Sequence, residues 1–118
     1  MKKDSIKYIK INNEIQKELS IIIKNRIKDP RVSSRLVLTK TIVTTDLKEC
    51  KVYVSITGNE EEKNNTINGL NSAKGFIRKE LSSSLNLRNT PSLSFFLDNA
   101  SEYASHIEEL IRKINSNE

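Results

Sequence analysis

Residues 67–85 read INGLNSAKGFIRKELSSSL, and the rest of the chain is organised around them. Ile67, Leu70, Ala73, Phe76, Ile77, Leu81 and Leu85 recur at three and four, which writes one apolar helical face against a core. Gly75 interrupts that face, at a position type where glycine costs about 1 kcal/mol relative to alanine. The small residues Ser72 and Ala73 precede it. Ser72, Ala73, Lys74 and Gly75 are therefore expected to form a helix kink, made either for the bend itself or for close approach of another backbone. Lys74, Arg78 and Lys79 cluster around it. A bend with amide donors and positive side chains suits a phosphate.

N-terminal to this stretch, Tyr8, Ile11, Ile15, Leu19, Ile22 and Ile23 repeat at helical spacing between polar residues, predicting a long amphipathic helix from Ser5 to Ile27. Asp29-Pro30 stops it, because the residue before proline is pushed out of the helical region. Lys24, Arg26, Lys28, Arg31, Arg35 and Lys40 surround that stop. They suit a solvated helix C-terminus; the second basic group around Gly75 makes a joint anion-binding role the sharper reading.

Leu36 to Thr45 is rich in Leu, Val, Ile and Thr and reads as a strand, with Leu36, Leu38 and Ile42 on one parity and Val37 and Val43 on the other. A short polar link leads to Cys50, Val52, Val54 and Ile56, alternating with Lys51, Tyr53, Ser55 and Thr57. So short a link implies an antiparallel hairpin. Gly58-Asn59 ends it, and Glu60, Glu61 and Glu62 open the next helix at the positive end of its dipole.

Beyond the central stretch, Asn86, Asn89, Thr90 and Pro91 lead into a strand from Ser92 to Asp98, with Leu93, Phe95 and Leu97 on one face. Phe96 takes the other face and is expected against a helix; exposed, it could stack on a base. Tyr103, Ile107, Leu110, Ile111 and Ile114 write a last helix, and residues 115–118 a frayed end. The order is helix, strand, strand, helix, kinked helix, strand, helix. One helical layer on one face of a three-stranded sheet is the expected α+β build, in a single domain spanning 1–118.

The 118 residues carry a net charge of +5, which favours an anionic partner. Cys50 is the sole cysteine and His106 the sole histidine. Histidine triads and His/Cys metal sites each need partners this sequence lacks. The expectation is no enzyme, no metal and no cofactor. Cys50 falls on the apolar parity and reads as a buried thiol. No run approaches the roughly 20 apolar residues of a membrane span, and none has signal-peptide form, so the expected location is the cytoplasm.

Three motifs in order now point further: KDPR at 28–31, SAKGFIR at 72–78, and Leu87, Arg88, Pro91, Leu93, Phe95, Phe96 and Asp98 in an LR..P.L.FF.D pattern. With the element order they make the chain similar to the ribosome-binding factor A family over nearly its whole length. That resemblance implies a KH-type (type II) fold whose Gly-x-x-Gly loop is reduced to a kink at Ala73, Lys74 and Gly75. It also implies a partner, the 16S rRNA of the free small (30S) ribosomal subunit late in maturation, with aid to 5′-end processing and to growth in the cold. A monomer without membrane association is expected. The candidate RNA-binding residues are Arg26, Lys28, Arg31, Arg35, Lys74, Arg78, Lys79 and Arg88. The alternative is a protein-interaction module that does not bind RNA.

Overall fold

The structure is a computed structural model describing residues 2, 5–32, 35–87, 89–98 and 111–112. Its elements run α1 (Ile6–Arg26), β1 (Leu36–Val43), β2 (Glu49–Ile56), α2 (Glu60–Ser72), α3 (Lys74–Ser84) and β3 (Ser92–Leu97). Arg88 lies outside the described residues. So does nearly all of the expected last helix, of which Ile111 and Arg112 are described, helical and exposed.

Ser5 caps α1, its hydroxyl accepting from the Tyr8 amide at 3.1 Å. Tyr8, Ile15, Leu19, Ile22 and Ile23 are buried along one stripe, which stabilises a helix rich in isoleucine, a residue of mediocre propensity. Asn59 caps α2, accepting from the Glu62 amide at 2.8 Å, with Glu60, Glu61 and Glu62 in the first turn.

The sheet has the order β1-β2-β3. β1 and β2 are antiparallel, whereas β3 runs parallel to β2, reached by the crossover through α2 and α3. Cys50, Val52, Val54, Leu93 and Phe95 face the helices and are buried with Leu70, Ile77 and Leu81. The free edges are closed at single points. Tyr8 donates its hydroxyl to the Val43 carbonyl, and Asn12 Oδ1 accepts from the Val43 amide at 3.1 Å. On β3, Asn71 accepts from the Phe95 amide at 3.2 Å and donates to its carbonyl at 3.4 Å. Tying an edge strand's unpaired backbone groups to a helix denies them to another chain.

β1 departs from the expected alternation. Its pairing jumps from Leu38↔Val54 to Lys40↔Tyr53, leaving Thr39 as an extra residue. This bulge switches parity in mid-strand, so Leu36 and Leu38 face the helices before it and Thr41 and Val43 after it. Thr41 is consequently buried, and its hydroxyl has no hydrogen-bond partner among the described residues.

Two aromatic expectations are corrected. Phe76, expected in the core stripe, is 46% exposed on α3. Phe96, expected against a helix, is 42% exposed on the sheet face opposite α1, α2 and α3, where its ring lies 5.7 Å from that of Tyr53. Both sit where local periodicity permits an apolar residue but no layer among the described residues covers it fully.

Candidate nucleic-acid interface

The first basic group is built on the end of α1 and the loop after it. Lys24 and Arg26 occupy the last turn, where cations oppose the helix dipole. Arg26 is committed elsewhere as well, donating to Glu80 at 2.8 Å and to Ser84 at 3.4 Å, so it ties α1 to α3. In the Asp-Pro-Arg turn, Asp29 accepts from the Arg31 amide at 2.9 Å and from its guanidinium at 2.7 Å. These bonds hold the Asp29 carboxyl down at about 2 and push the Arg31 guanidinium up. Lys28 is exposed and pairs with no acid among the described residues.

This loop is docked on α2. The Thr66 hydroxyl lies 3.2 Å from the Arg31 carbonyl and 2.8 Å from that of Glu62. One turn on, Gly69 is buried, and a Cβ there would lie 3.0 Å from Val32 Cγ2 and 3.2 Å from Arg31 Cβ. Close approach is therefore a property of Gly69. The helical pattern points instead to Gly75, where an added Cβ meets nothing within 4 Å. In the sequence Gly69 is legible only as a second glycine in the pattern, because the residue that approaches it comes from far away along the chain.

The helix break falls at Ala73, whose backbone has φ −91° and ψ 1° and whose amide bonds the carbonyls of Gly69 and Leu70 at 3.0 and 3.1 Å. α3 then starts at Lys74 without a side-chain cap. Gly75 is already inside it, with no left-handed backbone. Lys74, Arg78 and Lys79 are exposed on α3. Arg78 donates to the Thr90 carbonyl through Nε at 3.2 Å and Nη2 at 2.8 Å, which fastens the segment before β3 to the helix. Between them lies an open cleft of about 520 Å³ lined by Gly75, Arg78, Lys79, Ser82, Ser83, Leu87, Asn89 and Thr90.

The expected cations therefore divide. Arg26 and Arg78 each hold another part of the fold and Arg31 closes its own turn on Asp29, while Lys28, Lys74 and Lys79 pair with no acid among the described residues. Arg35 is exposed and has a partner. Phe76, on α3 between Lys74 and Lys79 in sequence, adds an exposed ring that periodicity places in the core. No group of His, Cys, Asp and Glu that could hold a metal occurs among the described residues. Cys50 is 1% exposed, and burial pushes its thiol up to about 12.

An α-β-β-α-α-β order, a mixed three-stranded sheet and helices on one face define a KH-type domain, here with an interrupted helix in place of a glycine-rich clamp. Comparison with known proteins gives the family. The Ribosome-binding factor A family profile matches residues 7–111. Ribosome-binding factor A of Lachnospira eligens is 43% identical over 118 residues, covering 100% of this chain and 91% of that protein. The chain belongs to the Ribosome-binding factor A family. Among solved structures, the solution structure of a Thermotoga maritima protein assigned to ribosome binding factor A aligns with TM-score 0.66 and 31% identity, over 75% of this chain and 83% of that one. A homology model of Thermus thermophilus ribosome binding factor A, fitted into the cryo-electron-microscopy map of its complex with 30S, aligns with TM-score 0.64 over 77% of this chain and 94% of that one. Its 22% identity speaks for the fold alone.

Proposed function

We propose that this chain is a non-enzymatic assembly factor that binds free small ribosomal subunits late in their maturation. It contacts 16S rRNA, assists processing of the 5′ end of that RNA, supports growth in the cold, and acts as a cytoplasmic monomer without cofactor. The observation that carries the reading is the set of exposed lysines at 28, 74 and 79 along the docked loop and α3, none with an acid partner among the described residues, on a chain of this family. Arg31 and Arg35, which line a cleft against α2, and Arg78, which lines the cleft with Lys79, are exposed as well and complete the proposed phosphate contacts. A surface of this kind neutralises phosphates and releases counterions, so binding weakens steeply with salt. Arg26, held by Glu80 and Ser84, serves the surface by fixing α1 to α3.

The test is a sucrose gradient of a cell extract probed for the protein. Co-migration with free small subunits is expected. Equal occupancy of small subunits, large subunits and polysomes contradicts the assembly-factor reading.

A further inference from the structure

The proposed phosphate-contacting surface uses the helices and their loops and leaves the opposite face of the sheet without a role. That face carries a row of cross-strand neighbours, Lys40 on β1, Tyr53 on β2 and Phe96 on β3. Ile42, Lys51 and Ser94 form the next row. The two rings lie with centroids 5.7 Å apart and planes tilted by 32°. Phe96 is 42% exposed and Tyr53 half-buried. Lys40 and Lys51 are exposed and pair with no acid among the described residues. The acids of this face stand to either side of the two rows. Glu49 is two residues before Lys51, and the Asp98 carboxylate accepts from the Thr39 hydroxyl at 2.6 Å.

We infer that this face is a second RNA-contacting surface, on which Tyr53 and Phe96 stack unpaired bases of a single strand while Lys40 and Lys51 hold its backbone. Exposed aromatics on a sheet flanked by cations are the arrangement that binds single strands, because every base has a π-face and every nucleotide a phosphate. A protein partner fits less well, since lysine is depleted in the core of protein interfaces and here adjoins the rings directly. The bulge at Thr39 contributes by turning Lys40 onto this face beside Tyr53. The inference rests on the reading that the protein works on RNA, but the surface, the ligand and the variants differ from those that test it.

The experiment measures binding of the full chain to fluorescent eight-nucleotide oligo(U) and oligo(A) at low salt, for the parent, Phe96→Leu, Tyr53→Leu and Phe96→Tyr. Stacking predicts roughly five- to a hundredfold weaker binding for each leucine variant and recovery in Phe96→Tyr, which keeps a ring. Ultraviolet crosslinking to oligo(U) supplies a readout independent of variant folding, with the adduct expected on the peptide carrying Tyr53 or Phe96. Parent-like affinity in both leucine variants, adducts confined to α3, or no oligonucleotide binding by the parent overturns the inference. Small-subunit binding lost in the leucine variants while oligonucleotide binding stays intact assigns the face to a protein contact and overturns it as well. If the leucine variants lose oligonucleotide binding but the parent fails to migrate with small subunits, the surface stands and the assembly-factor reading falls.

Discussion

Gly69 and Gly75 lie six residues apart, yet alanine at the two positions is expected to act in opposite directions. Replacing a helical glycine gains about 0.4–1 kcal/mol when the native backbone accepts a side chain. Gly75 meets that condition in full, because it has no left-handed backbone and its Cβ would meet nothing within 4 Å. At Gly69 the same gain is opposed by contacts of 3.0 Å to Val32 Cγ2 and 3.2 Å to Arg31 Cβ. Both belong to a loop held by Asp29 and facing Thr66, so it cannot withdraw without disturbing those bonds. Overpacking of this kind costs about 1–3 kcal/mol, leaving Gly69→Ala destabilised by roughly 0.5–2 kcal/mol net. Urea unfolding followed by circular dichroism measures both variants. With a slope of about 1–3 kcal/mol/M, their midpoints are expected to separate by on the order of 1 M, with the parent between them. A rise in Gly69→Ala equal to that in Gly75→Ala refutes the docking of the loop on α2. A fall in Gly75→Ala refutes the placement of the break at Ala73.

Three further outcomes follow from buried and paired groups. Thr41→Val keeps the shape and removes a buried hydroxyl that has no partner among the described residues, and is expected to raise stability by about 1 kcal/mol in the same urea assay. The Cys50 thiol, buried and raised to about 12, is expected to react with a thiol-specific chromogenic reagent only as fast as the protein opens, and at once in denaturant. Asp29 has its folded value depressed from 3.8 to about 2, so its contribution is present above about pH 4 and is lost as pH falls to about 2. The stability difference between the parent and Asp29→Asn, followed by pH-dependent urea unfolding, is expected to shrink across that window.

Local pattern carried most of the fold. The alternation of Cys50, Val52, Val54 and Ile56 marks the buried face of β2, and Asn59 followed by three glutamates marks the start of α2. What stayed hidden depended on partners distant in sequence. The bulge at Thr39 reconciles the two apolar parities of β1, and it is visible only in the register with β2. Phe76 and Phe96 have the spacing of core residues, and only their exposure in the folded chain tells otherwise. The cationic clusters could be read from sequence as charge. Their division into arginines that hold the fold and lysines that face solvent required Glu80, Asp29 and Thr90 in place.

The central claim is that Lys28, Lys74 and Lys79 contact RNA phosphates, and the salt dependence of small-subunit binding tests it most directly. Arg78 is left unchanged in this comparison because it also fastens the segment at Thr90. The affinity of the full chain for purified small subunits is measured across a range of salt, for the parent and for the variant carrying Lys28→Ala, Lys74→Ala and Lys79→Ala. Weaker binding is expected of the triple variant, together with a plot of log affinity against log salt flatter by about one unit for each phosphate that is no longer neutralised, and unchanged far-ultraviolet circular dichroism. Parent-like affinity and slope in the triple variant would contradict the claim.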